Sequence, residues 1–303
     1  METKNNWKAW IYLAPAIILL AVFTFYPMIN TIGISFIDGY KLSKPTGSFG
    51  IENYAKILTN KQFLYALRNT FIIAFVTVPL STILALLIAV GLNSIKPLRA
   101  FLQTIYFLPY VTNSIAIGMV FSIIFKVYTP NGTLTGATNL GLFNQLIGVF
   151  GIKPQMWISQ NAPLFNKMFV ICFYIIWNAL PFKIMILLGA LQSVNTQYYN
   201  AAKIDGASRF KIFRKITVPL ISPMLLYVVV TGFIGSFKEY SSVIGIFGEN
   251  LKDFEMNTMV GLIYDSLSNV WTGRAAAGAV VLFLIILVFT GLQFLVSKKK
   301  VHY

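Results

Sequence analysis

Six stretches of this chain stay apolar for the length of a lipid bilayer. They lie near residues 10–36, 70–92, 102–125, 166–191, 219–247 and 274–296. A crossing takes about 20 mostly apolar residues, since a helix rises ~1.5 Å per residue through roughly 30 Å of hydrocarbon. Lipid offers backbone groups no hydrogen-bond partner, so such runs predict helices. The fold class expected is therefore all-α, a polytopic membrane protein with six transmembrane helices. The first run follows Lys4 and Lys8, but it is too long for a signal-peptide core and no small-residue cleavage site follows Pro27. It is read as a helix.

Composition points the same way. Of 303 residues, 57% are hydrophobic and 11% charged, against roughly 45–50% and about 25% in soluble domains. This excludes a soluble enzyme, a disordered chain and a nucleic-acid-binding domain, despite a net charge of +15. A single cysteine, Cys172, excludes a disulfide framework and a cysteine zinc site. A single histidine, His302, excludes histidine-ligated metal chemistry and a Ser-His-Asp triad.

The bases must then be read by position. The tails, 93–101 and 192–218 carry Lys4, Lys8, Lys96, Arg99, Lys203, Arg209, Lys211, Arg214, Lys215, Lys298, Lys299 and Lys300, against the acids Glu2 and Asp205. The three opposite loops are about twice as long and hold eight bases against six acids. Basic residues gather on the cytoplasmic side of membrane proteins, so both termini are expected inside. Prolines at 15, 27, 79, 109, 181, 219 and 223 mark kinks or breaks in the runs. The small residues Ala275, Ala276, Ala277, Gly278 and Ala279 allow close helix approach.

One inner loop, 192–218, is more than a connector. Ala201 and Ala202 favour helix, and Asp205-Gly206 punctuates it, because glycine accepts the φ > 0 conformation that ends a helix. A second short helix follows, with Phe210, Phe213 and Ile216 on one face and Lys211, Arg214 and Lys215 beside them. Pro219 is expected to start the next span, where its missing N–H costs nothing. By residues alone this helix-turn-helix also fits an interfacial amphipathic helix resting on lipid headgroups.

Residues 200–219 resemble the EAA loop of ABC importer permeases, which reads E-A-A, three residues, G, then about nine to I-x-L-P. Ala201, Ala202, Gly206, Ile216 and Pro219 stand in matching places, with Asp205 and Ala207 flanking the glycine; Asn200 replaces the leading Glu and Val218 the Leu. Further matches are Gly50, Asn53 and Tyr54 before span two, Phe101 with Phe107-Leu108-Pro109 at the entry to span three, and Trp177 through Ala190-Leu191-Gln192. Gln103 and Arg99 replace the usual placement of an Arg near span three. Asn257-Thr258 with Ile263-Tyr264 resembles the segment before the last span, and Gly141, Asn144 and Leu146 favour the first of the two permeases in carbohydrate importers. A G-G-P usually seen after span five is absent, Phe247-Gly248-Glu249-Asn250 standing there.

The resemblance implies a type I ABC importer transmembrane fold in a bacterial cytoplasmic membrane. It implies an N-terminal helix and outer loop over 1–65, a transport domain over 66–297 and a basic tail at 298–303. Asn200, Ala201, Ala202, Asp205, Gly206, Ala207, Phe210 and Phe213 would couple to an ATPase. The chain lacks a G-x-x-x-x-G-K-[ST] phosphate loop, so two partner ATPases would bind ATP-Mg, and the chain itself would carry no cofactor. A second permease and an extracellular solute-binding protein would complete the importer. The cargo implied is a sugar or oligosaccharide, with Tyr174, Asn178, Glu239, Tyr240 and Ser241 as candidate pathway residues. Membrane lipid is a partner and nucleic acid is not. A secondary transporter would need inverted repeats and coupling acids in the spans, where Glu239 is the one acid. A membrane enzyme would need an acid pair or a nucleophile and base that the runs lack.

Charges at membrane depth are rare, so Lys183, Lys238 and Glu239 are each expected to face protein, water or headgroups. At ~1.5 Å per residue, Lys183 and Glu239 sit roughly 13 Å apart in depth, too far for a direct bridge. Lys183 is expected to snorkel toward the cytoplasmic end or meet the partner permease, and Glu239, with Ser241, to line the outward part of the pathway.

Overall fold

The computed structural model describes residues 6–43, 45–95, 101, 104–105, 110, 112–127 and 140–297. The backbone divides into two compact units, residues 1–64 with 262–284, and 65–261 with 285–303. Glu2, Lys4, Lys96, Arg99, Gln103, Phe107, Leu108, Pro109, Lys298, Lys299, Lys300 and His302, singled out above, lie outside the described residues.

In the first unit, helix α1 (Trp10–Ser35) is apolar throughout, with a π turn at Ala21–Phe25. None of its most apolar 18-residue window is buried. A two-stranded antiparallel hairpin follows, β1 (Ile37–Asp38) pairing with β2 (Ser48–Phe49), and then helix α2 (Glu52–Leu58). Asn53 ties these pieces together. Its Nδ2 donates to the carbonyls of Ser35 (3.2 Å) and Ile37 (2.9 Å), and its N–H donates to Asp38 Oδ1 (3.3 Å). Tyr54 shares a 2.7 Å hydroxyl bond with Ser35. The asparagine and tyrosine of the matched motif thus close the base of the hairpin.

The second unit is built on two long helices, α3 (Lys61–Ser94) and, further on, Leu164–Ser193. Each carries an internal proline, Pro79 and Pro181. Between them come α4 (Ser114–Phe125) and α5 (Gly141–Val149), so Leu164–Ser193 is α6. Then follow α7 (Thr196–Ile204), α8 (Arg209–Leu220), α9 (Ser222–Phe237) and α10 (Ser241–Phe247), and after them α11 (Met259–Ser268) and α12 (Thr272–Ser297), whose residues 262–284 belong to the first unit. One apolar core gathers Phe125, Ile171, Tyr174, Val243 and Phe247; another gathers Ala85, Ala89, Leu187, Leu188 and Ile221. In the small-residue run of α12, Ala275, Ala276, Ala277 and Gly278 are all buried.

Helices α4 and α10 touch backbone to backbone. A Cβ at Gly118 would lie 2.8 Å from Gly245 Cα, and one at Gly245 would lie 2.8 Å from the Ile115 carbonyl oxygen. Only glycine permits this approach, and it pins α10 beside α4.

Two of the six expected runs differ from straight spans. Among its described residues the third is helical at Thr104, Ile105 and Tyr110 and, after a break at Thr112–Asn113, over the 12-residue helix Ser114–Phe125. Asn113 starts that helix, Oδ1 accepting from the N–H groups of Ile115 (2.9 Å) and Ala116 (3.3 Å). The fifth run breaks twice. Helices α8 and α9 meet at Ile221 with a bend of 69°, and the chain leaves helix again at Lys238–Tyr240 before α10. The span therefore does not start at Pro219, which sits inside α8; Pro223 stands in the first turn of α9 instead. Proline there lacks the N–H that would bind the preceding turn, so the helix is free to turn just before it. Among the described residues, four helices are long and apolar enough to cross a membrane, or five if the bent pair counts as one span.

Candidate functional site

The faces of α6 and α9 line an open cavity of about 260 Å³, reached also by Tyr110, Glu239 and Ser242. On α6 the lining residues are Ile175, Asn178, Ala179, Phe182 and Lys183; on α9 they are Val228, Thr231, Gly232, Gly235 and Ser236. Both sets recur every three to four residues, which places them on one helical stripe each. Tyr110 stacks on Phe182 with ring centroids 5.5 Å apart and planes 16° from parallel. The wall thus offers an aromatic pair, an amide, hydroxyls and two charged groups. That inventory can hold a polar solute with a flat apolar face.

Glu239 occupies the break between α9 and α10. Its Oε1 accepts from the N–H groups of Tyr240 and Ser242, both at 3.1 Å, so the carboxylate caps the first turn of α10. The unpaired N–H groups at a helix start carry partial positive charge and favour an anion. The residue is half-buried and faces the cavity.

Lys183 is 5% exposed. Its ammonium reaches α3, donating to Ser81 Oγ (2.7 Å), Thr82 Oγ1 (3.0 Å) and the Val78 carbonyl (3.3 Å). It therefore neither snorkels nor awaits the partner chain. Neutral oxygens within its own unit satisfy it, because α3 passes close enough at Pro79 to offer a carbonyl and two hydroxyls. No ion pair joins it to Glu239 among the described residues.

Of the other pathway candidates, Asn178 lines the cavity, while Tyr174, Tyr240 and Ser241 are not among its lining residues. Tyr174 is fully buried, its hydroxyl donating to the Ser114 carbonyl (2.9 Å) and its ring packing edge-on to Phe121 at 5.0 Å. It is one helical turn from Asn178, but its side chain is turned into the core. Tyr110, Phe182, Thr231, Ser236 and Ser242 were not anticipated. The three-to-four spacing from Asn178 and back from Glu239 was the available signal for most of them.

The inner loop forms the expected two helices. Asn195 caps α7, its Oδ1 accepting from the Gln197 N–H at 2.9 Å. At the far end Gly206 adopts φ +69°. Its N–H donates to the Lys203 carbonyl (3.1 Å), and that of Ala207 to the Ala202 carbonyl (2.9 Å). This pair is a Schellman cap. Ser208 then caps α8, its Oγ accepting from the Lys211 N–H at 3.3 Å. Ala202 is buried, whereas Asn200, Ala201, Asp205 and Gly206 are exposed and Ala207 half-buried. Ile204 at 86% and Phe210 at 70% exposure put apolar surface outward. Phe213 and Ile216 are half-buried rather than sharing the exposure of Phe210, since a π turn at Phe213–Thr217 shifts the three-residue spacing.

Comparison with known proteins places this architecture. Residues 78–302 match the family described as binding-protein-dependent transport system inner membrane component. The arabinooligosaccharides transport system permease protein AraP of Bacillus subtilis (strain 168) is 30% identical over 282 residues, covering 92% of this chain and 85% of that one. The trehalose/maltose transport system permease protein MalF of Thermococcus litoralis is 26% identical, covering 93% and 90%. The fold is similar to that in the crystal structure of a bacterial ABC transporter involved in the import of the acidic polysaccharide alginate. The TM-score is 0.77 at 20% identity, covering 98% of this chain and 96% of that one. The chain belongs to the family of binding-protein-dependent transport system inner membrane components.

Proposed function

We propose that the chain forms half of the translocation pathway of an ATP-driven carbohydrate importer. The cavity between α6 and α9 carries this reading: it combines an aromatic pair with Asn178 and the Glu239 carboxylate at membrane depth. The sugar transport in the names of the relatives supports a sugar or oligosaccharide as cargo. A second permease completes the pathway, an extracellular binding protein delivers the solute, and two ATPase subunits hold ATP-Mg. The transport domain runs over 66–297, the chain crosses the bacterial cytoplasmic membrane six times, and both termini face the cytoplasm.

Coupling runs through the inner loop. Asn200, Ala201, Ala202, Asp205, Gly206, Ala207, Phe210 and Phe213 seat in a groove of one ATPase, with the Schellman turn fixing the angle between α7 and α8. The exposed Ile204 and Phe210 give that contact apolar surface. Closure of the ATPase pair then shifts the permeases between outward-open and inward-open populations. Purification of the tagged chain from its native membrane tests the assembly. An ATPase subunit should co-purify, and the complex in vesicles should hydrolyse ATP faster when binding protein and sugar are added. Recovery of the chain without any ATPase would sink the reading.

A further inference from the structure

The β1–β2 hairpin follows α1 and is seated on the start of α12. The Leu42 N–H donates to Thr272 Oγ1, and the Gly273 N–H donates to the Tyr40 carbonyl, both at 3.2 Å. Helix α1 ends at Ser35 and α12 begins at Thr272. The hairpin therefore lies where two spans leave the hydrocarbon, at the level of the lipid headgroups.

Three side chains meet there. The Arg274 guanidinium lies 3.8 Å from the centre of the Trp271 indole, and the Lys41 ammonium 5.5 Å from it. Both distances are within the range of a cation–π contact. An indole carries no net charge, however, and neither base forms an ion pair with an acid among the described residues. Of the acids on the hairpin and α2, Asp38 accepts the Asn53 N–H and Glu52 pairs with Lys56. Two cations are thus held beside one ring with no anion to balance them.

The turn before α12 sets this arrangement. Val270 takes φ +60°, which a β-branched residue adopts only at a cost. Its N–H donates to the Leu267 carbonyl (2.9 Å), and that of Trp271 to the Ser266 carbonyl (2.8 Å). This Schellman cap ends α11 and leaves the indole at the mouth of α12. On the hairpin, Leu42 is 76% and Phe49 86% exposed. Bases, an indole and bare apolar side chains at one membrane level have the make-up of an interfacial anchor.

We infer that this face binds an anionic phospholipid. Lys41 and Arg274 meet its phosphate, and Leu42 and Phe49 meet its glycerol and the head of an acyl chain. Depth and charge together select a lipid, because phosphates and the first methylenes lie at the level where these side chains stand.

The test uses the purified chain, with whatever subunits accompany it, and native mass spectrometry of added short-chain phosphatidylglycerol or phosphatidylcholine. The wild type should hold the first phosphatidylglycerol at least ~5-fold tighter than phosphatidylcholine, the factor for one base near an anionic headgroup. Lys41→Gln, on an exposed loop residue, should lower that ratio. Arg274→Gln should lower it further, and Arg274→Lys should restore most of it. Lys61→Gln, a further exposed base of this unit, should leave the ratio unchanged. A ratio that survives in both glutamine variants overturns the assignment, as does an equal loss in Lys61→Gln. So does full displacement of the lipid by millimolar inorganic phosphate, since a free anion would then be the ligand. Variants that keep the lipid but lose stimulation of ATP hydrolysis by the binding protein would assign the face to a protein contact instead. Failure of the importer reading itself looks different: no ATPase accompanies the wild-type chain.

Discussion

Gly206 shows how little a decisive residue need touch. Nothing lies within 4 Å of where its Cβ would be, yet its φ is +69°. A β-branched residue there loses ~1–2 kcal/mol or more through the backbone alone, without a clash. Gly206→Val should therefore reach the membrane at normal levels, as an immunoblot of membrane fractions would register. It should lose sugar uptake and hold the ATPase weakly in pull-downs, and unimpaired uptake would refute the coupling role. Glu239 is the opposite case, tied on one side to α10 and open on the other to the cavity. Glu239→Gln keeps the cap's acceptor oxygen and gives up the charge at a helix start, worth roughly 0.3–1 kcal/mol. Assembly should persist while the concentration for half-maximal uptake shifts. Failure to assemble, with rescue by a paired charge swap, would assign Glu239 a structural task instead. Asn178 and Glu239 were legible from the sequence because polar residues at membrane depth stand out. Tyr174 misled, since a tyrosine reads alike whether its ring faces a cavity or, as here, the core.

Between elements, the contact that fixes α10 is the glycine crossing with α4. Gly245→Ala places a methyl 2.8 Å from the Ile115 carbonyl oxygen and 3.0 Å from Gly118 Cα. Backbone atoms cannot swing aside, so the helices must part at a cost of ~1–3 kcal/mol. The variant should unfold at a lower temperature in detergent, and Gly118→Ala should do the same; unchanged melting for both would show that the crossing gives readily. The long helices α1, α3, α6 and α12 were visible in advance, because hydropathy over 20 residues measures what it costs to leave lipid. The elbow at Ile221 and the gap at Lys238–Tyr240 were not. Apolar side chains continue through most of that run, and hydropathy carries no information on backbone direction. The same limit hid the cap at Asn113, which starts a new helix within the third run.

At the scale of the molecule, the chain is a membrane permease subunit of its family rather than an enzyme, and ATP hydrolysis belongs to separate subunits. The orientation proposed from the charges is one that reporters can check. A reporter fused after Lys300 should score cytoplasmic, and one inserted within 43–47 extracellular; the reverse pattern would place the inner loop out of any ATPase's reach. The elbow of 69° at Ile221 has a mechanical consequence. A straight helix turned about one end carries its residues through arcs that lengthen with distance from that end. Ser236 stands ~22 Å from that joint at 1.5 Å per residue, Gly232 ~16 Å and Val228 ~10 Å. A turn of α9 about that joint moves each wall residue through an arc proportional to its distance from Ile221, greatest beside Glu239 and least near the joint.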